Sequence, residues 1–137
     1  MRKEHKNIQK WIKEKYSNKF DVAAETIDGQ NNLPNKKMHI YQPDVLLKSK
    51  KSGKIVYIVE VENDPMRKVL VGASILADYS VKLLQNTKPT LIFVVYLEKG
   101  IRQIPNFIEK IKIVKKYCSN LKDIKIFSIT DFKRLNL

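Results

Sequence analysis

Cysteine, glycine, histidine and acidic residues are all scarce in this chain. The one cysteine, Cys118, excludes an intrachain disulfide and a cysteine-built metal cluster, and is expected to be a small core residue. With four glycines there is no G-x-G-x-x-G, no phosphate-binding P-loop and no G-x-S-x-G, and H-E-x-x-H is absent too. The two histidines, His5 and His39, lack metal-ligand spacing, so neither is expected to hold zinc, and His39 is expected at the surface. No apolar run approaches bilayer length: the longest, Leu91–Leu97, is far too short. The opening MRKEHKNIQKW carries no apolar segment behind its charges, which predicts no signal peptide and a soluble, cytoplasmic chain with no membrane partner.

What is present is positive charge. Lysine and arginine number 27 against 14 acids, a net charge of +13. Such an excess favours a polyanionic partner, DNA or another nucleic acid. The length of 137 residues fits a single domain spanning 1–137.

Hydrophobic periodicity gives an α-β-β-β-α-β-α-β-(α) order. Residues 2–17 read as a helix with Ile8, Trp11, Ile12 and Tyr16 on one stripe, Trp11 anchoring it to the core. Residues 19–28 read as a strand and 30–35 as a polar loop. Residues 44–50 and 54–62 read as a hairpin turning at Ser52-Gly53. Asp64 is expected to cap a helix with Pro65 at its first position, running to about residue 85. That helix is apolar nearly all round, with small residues Gly72, Ala73, Ala77 and Ser80, as expected of one sandwiched between the sheet and something else, a second subunit being one candidate. Asp78 and Lys82 are expected to pair along it.

Residues 89–97 read as a strand buried on both faces. A helix over 104–118 should turn Ile104, Phe107, Ile108, Ile111 and Val114 inward and Lys110, Lys112, Lys115 and Lys116 outward, where they can track a phosphate backbone. A strand over 123–129 and a short helix capped by Thr130 complete an α/β (α+β) chain with a mixed sheet.

Against this basic background three acids stand together in space. If the hairpin turns at Ser52-Gly53, opposed residues sum to about 105, so Asp44 faces the Glu60–Glu62 region. Glu60 and Glu62 share a strand face. The apolar run before them predicts burial, and buried like charges are costly unless a cation neutralises them. Oxygen donors converging this way suit Mg²⁺, with Mn²⁺ as the alternative, and such an ion can activate water against a phosphodiester. The bland reading is a solvated strand end paired with lysines.

Pro43-Asp44 opening the second strand of the order above, with Glu60-x-Glu62 late in the third, resembles the PD-(D/E)XK nucleases, a superfamily that includes many restriction endonucleases and the archaeal Holliday-junction resolvases. The likeness covers the αβββαβ order up to residue 97, the last strand and helices being additional. It implies a metal-dependent endonuclease acting on DNA, branched DNA included, usually as a homodimer. It implies Asp44 and Glu60 as metal ligands, with Glu62 adding a ligand or orienting the attacking water. The family usually has lysine where Glu62 stands. Lys68, or Lys48 at Asp44's parity, would then take the lysine's role. The resemblance also implies a further glutamate from the first helix, for which Glu4 is the choice and Glu25, on the first strand, the rival. The alternative at position 62 is a nuclease fold that binds nucleic acid without cutting it, or a protein-interaction and dimerisation domain.

Overall fold

The computed structural model describes residues 3–63 and 67–137. Helix α1 (Lys3–Tyr16) is followed by strand β1 (Phe20–Ala24), a single helical turn α2 (Glu25–Asp28), and the short strands β2 (Leu33–Pro34) and β3 (His39–Tyr41), which pair with each other. The hairpin β4 (Val45–Ser49) and β5 (Ile55–Glu62) comes next, then α3 (Arg67–Leu84), β6 (Thr90–Val95), α4 (Glu98–Lys115), β7 (Asp123–Ser128) and α5 (Ile129–Arg134). The main sheet is five-stranded and mixed, in the order β1-β4-β5-β6-β7. β1, β4 and β5 are antiparallel, whereas β5, β6 and β7 are parallel.

Side-chain alternation divides the core into two layers. Val45, Leu47, Val59, Val61, Ile92 and Val94 meet Ile8, Ile12 and Tyr16 of α1 and Phe132 of α5. Leu46, Ile58, Leu91, Phe93, Ile124 and Ile126 meet Leu70, Ala77 and Val81 of α3 and Phe107 and Ile111 of α4. β6, the expected two-faced strand, is buried at all six positions. Trp11 packs edge-on to Tyr16 and Phe132, fixing α1 against α5. Cys118 is fully buried, and burial pushes its thiol up to about 11. No helix among the described residues is long and apolar enough to cross a membrane.

Several features differ from expectation, among them the expected loop over 30–35, which holds β2 paired with β3, a strand the sequence reading lacked. β1 stops at Ala24 because Asp28 closes a helical turn there: its carboxylate accepts from the Ala24 amide at 2.9 Å and pairs with Lys13 at 2.6 Å. α4 starts six residues early, at Glu98, carrying Pro105 inside it. Burial of Ile101 beside Ile104 and Phe107 against the core outweighs the proline. Ile108, expected inward, is exposed. The C-terminal helix is capped by Ser128 rather than Thr130: the Ser128 hydroxyl oxygen accepts from the Asp131 amide at 3.1 Å. Asp78 does not pair with Lys82; its carboxylate accepts from Asn120 N and Nδ2, at 2.8 and 3.3 Å. The expected Asp64 cap and Pro65 lie outside the described residues.

Candidate metal centre

The site forms where α1, the α2 turn and the mouth of the β4–β5 hairpin meet. The α1 face turned inward bears His5, Ile8, Gln9, Ile12 and Tyr16, of which Gln9 is wholly buried. A buried amide must be hydrogen-bonded. Gln9 Oε1 accepts from the amide and the hydroxyl of Thr26, at 3.1 and 2.9 Å, and its Nε2 donates to Glu25 Oε1 at 3.5 Å. Gln9 thus ties α1 to the α2 turn and orients Glu25. The Glu25 amide donates to Asp44 O at 2.9 Å, which joins that turn to the start of β4. Asn31 Nδ2 reinforces the junction by donating to the carbonyls of Ala23, Pro43 and Asp44.

Asp44 continues the hairpin with its side chain. Val45 pairs with Val59 and Leu46 with Ile58, so the next pair inward to the mouth is Asp44 with Glu60. Here side chains replace the ladder: the Asp44 amide donates to Glu60 Oε1 at 2.8 Å, and Asp44 Oδ2 accepts from the Val61 amide at 2.7 Å. The other carboxylate oxygen, Oδ1, lies 3.3 Å from His5 Nε2. That nitrogen is buried and lacks a hydrogen bond of good geometry, and the His5 ring sits edge-on to Tyr96 with centroids 6.4 Å apart. One ligand atom each from His5, Glu25 and Asp44 falls within 4.8 Å of the others, and all three residues are half-buried.

The electrostatics are those of an acidic pocket. Burial first, and then the charge of Asp44, push the Glu60 carboxyl well above its usual range. The same two causes raise Glu62 to about 7. His5 is also raised, chiefly by its contact with the Asp44 carboxylate. Tyr41, buried against Glu60, is raised by burial and by the neighbouring carboxylates. Among the described residues no lysine or arginine pairs with Asp44, Glu60 or Glu62, so the reading of a solvated, lysine-paired strand end does not describe this place.

One nitrogen and two carboxylate donors fit a first-row divalent ion such as Mn²⁺ better than Mg²⁺, which prefers oxygen throughout. Of the expected ligands Asp44, Glu60 and Glu62, the structure brings Asp44 into the converging set. Glu60 spends an oxygen on the Asp44 amide, and Glu62 stands near enough to feel Asp44 and His5 without joining the three. The first-helix choice, Glu4, is exposed and lines a groove with Ile8, Tyr96, Ile129 and Lys133; Glu25 occupies the converging set instead. Lys68 is exposed in the first turn of α3 and makes no ion pair with the carboxylates. Lys48 shares Asp44's parity but sits four residues away, ~13 Å along the strand. It lines a separate cleft of about 480 Å³ with Asn31, Lys54 and Asn86.

The α4 lysines are placed far from the carboxylates. Val95 pairs with Glu62, so α4 starts at the site's end of the sheet and runs away from it. Lys110, Lys112, Lys115 and Lys116 then stand roughly 18–27 Å down the helix from its start. Lys112 pairs with Glu109 at 3.1 Å. His39 is exposed, as expected.

The residue missed from the sequence is His5. A signal for it exists: at 100° per residue His5 lies only about 20° from Ile12 around the helix, whereas Glu4 lies about 80° away. Gln9, which is wholly buried, shifts the true centre of the stripe toward His5. The chain matches no family model, no curated protein and no solved structure.

Proposed function

We propose that this chain is a divalent-metal-dependent endonuclease of restriction-endonuclease-like architecture that hydrolyses DNA phosphodiester bonds. The observation that carries the reading is the convergence of His5, Glu25 and Asp44 at one end of the sheet, with no ion pair from a lysine or arginine to any of the three among the described residues, in a chain of net charge +13. In that reading His5, Glu25 and Asp44 hold the ion. When bound, such an ion polarises a phosphoryl oxygen and lowers the pKa of water.

The chain's own groups supply the rest. Glu60 holds the Asp44 backbone in place through its amide. Glu62, raised by burial to about 7, is matched to accept a proton from the attacking water near neutral pH. Glutamate at this position therefore gives the site a general base where the related enzymes usually have lysine. Phosphate-holding charge comes from exposed residues at the same end of the fold. Lys3 and Lys6 lie close to His5 in the α1 sequence, Lys68 stands in the first turn of α3 and Arg102 in the second turn of α4.

The test is incubation with plasmid, linear duplex, single-stranded and four-way-junction DNA in Mn²⁺, in Mg²⁺ and in EDTA. The expected result is cleavage of at least one substrate, faster in Mn²⁺ than in Mg²⁺ and absent in EDTA. No cleavage of any substrate in either metal, or cleavage that survives EDTA, overturns the reading.

A further inference from the structure

The carboxylates of the metal centre stand at the mouth of the β4–β5 hairpin. The cleft of about 480 Å³ reaches the turn at its other end, between the β2–β3 ribbon and the end of α3. That volume lies within the ~300–1,000 Å³ of small-molecule sites. The floor of the cleft is apolar: Leu33, Leu46 and Ile55 are buried and Leu84 is half-buried. Its wall is basic. Lys36, Lys48 and Lys54 line it and no aspartate or glutamate does. Among the described residues none of the three lysines has an ion pair. Lys48 shares a strand face with Leu46, the face that packs beneath α3, and is half-buried there. Asp21, opposite it on β1, is exposed and does not pair with it. A lysine turned to the core side of a strand without a carboxylate has a use if a ligand supplies the negative charge.

We propose that this cleft binds a nucleoside phosphate, with the phosphate on Lys36, Lys48 and Lys54 and the base on the apolar floor. The inference stands apart from the nuclease reading, since it needs neither a metal nor the residues that would hold one. Two observations carry it beyond net charge. The first is that the polar wall presents donors. Asn35 Oδ1 accepts from the amides of Lys37 and Met38, at 2.9 and 3.0 Å. Asn32 Oδ1 accepts from Gln42 Nε2 at 2.8 Å. Both oxygens are engaged in shaping the loop, and the Nδ2 groups of Asn32 and Asn35, without an acceptor in the chain, are left for a ligand. Ammonium and carboxamide N–H groups together suit an anion with several acceptor oxygens, as a phosphate has.

The second is the floor. A hydrated inorganic anion gains nothing from aliphatic side chains, whereas a flat base attached to a phosphate covers them. Asn86 stands at the edge of the cleft with both ends of its carboxamide free. A carboxamide matches the paired donor and acceptor on one edge of adenine, which makes AMP the probe of choice. A free nucleotide and one nucleotide of a single strand offer the same chemistry here, and the two are separated below by a strand of thymidylate.

Calorimetry of the full chain in EDTA, with AMP, adenosine and inorganic phosphate as separate probes, keeps divalent metal out of the measurement. AMP should bind saturably with a dissociation constant below about 1 mM, and adenosine and phosphate each at least about tenfold more weakly. Lys48→Met keeps the length of the stem, removes the charge, and should weaken AMP by about tenfold. Should that variant fail to fold, Lys36→Gln with Lys54→Gln, both exposed, should have the same effect. Lys112→Gln with Lys116→Gln on α4 removes the same charge elsewhere and should leave AMP affinity unchanged. Oligothymidylate that binds more tightly than AMP, and loses that affinity in the cleft variants, identifies the ligand as a strand. Oligothymidylate that binds no better than AMP identifies a free nucleotide. No saturable AMP binding overturns the proposal. So does phosphate or adenosine bound as tightly as AMP, or an equal loss of AMP affinity in the cleft and α4 variants.

Discussion

Asp44→Asn should lower divalent-metal affinity by more than about 100-fold, because replacing even the outer partners of metal ligands costs 10–100-fold. Cleavage should fall by roughly 10³-fold with it. Asparagine is the informative replacement because Asp44 has two duties. Its Oδ2 accepts from the Val61 amide, which the amide oxygen of asparagine can also do. Its charge faces His5 Nε2 from 3.3 Å, and only that charge is lost. The melting temperature should therefore stay within a few degrees of wild type while calorimetric Mn²⁺ binding disappears. Alanine at the same position would also strand the Val61 amide, at a cost of ~1–3 kcal/mol, and would confuse the two duties. Wild-type cleavage rates in Asp44→Asn would contradict the metal role.

Glu62→Gln should make the metal-free protein more stable at pH 8 and leave it unchanged at pH 4. Burial and the Asp44 charge raise the Glu62 carboxyl from 4.5 to about 7 in the folded protein. Below pH 4.5 both folded and unfolded chains hold the proton, and the residue contributes nothing unfavourable. Between 4.5 and about 7 the unfolded chain gives up its proton while the folded chain keeps it, so stability falls as pH rises. Above 7 the full penalty is present. That gap is worth up to ~3 kcal/mol, and partial exposure reduces it to about 1–2 kcal/mol. Urea denaturation in EDTA at pH 4, 6 and 8 reads this directly. A glutamine variant no more stable than wild type at pH 8, or one that gains most at pH 4, would contradict the electrostatic description of the pocket.

The β4–β5 hairpin was legible because two strands and one turn fix a register. A turn at Ser52-Gly53 implies opposed residues summing to about 105, and the observed pairs near the mouth sum to 104, which sets Asp44 opposite Glu60. Burial of β6 followed from its unbroken apolar run. What stayed hidden depended on contacts between elements distant in sequence. Glu25 looked like a strand residue because the Asp28 cap that turns the chain at Ala24 is a side-chain contact, finished by Lys13 from another helix. His5 was dismissed for lacking sequence-local partners, yet its partners lie 20 and 39 residues away. Gln9 carried the clue, since a glutamine at the centre of an apolar stripe must be buried and bonded, and its neighbour one turn back is His5. The start of α4 was misplaced because Pro105 is a strong local stop signal that the packing of Ile101 overrides.

In the proposed reading these placements give Glu62 a use: a lysine there would neutralise the pocket, whereas a glutamate deepens its negative charge, which would serve a bound cation and a base near neutrality. Glu60, which burial and the Asp44 charge keep protonated well above the usual carboxylate range, acts as a structural group beneath the site.

Anomalous diffraction from crystals soaked in Mn²⁺ tests the arrangement most directly. One ion should lie about 2.0–2.3 Å from His5 Nε2 and from an oxygen each of Glu25 and Asp44, with remaining positions open to water or phosphate. An ion held instead by Glu60 and Glu62 with His5 and Glu25 turned away, or no anomalous peak in the pocket at millimolar Mn²⁺, would contradict it.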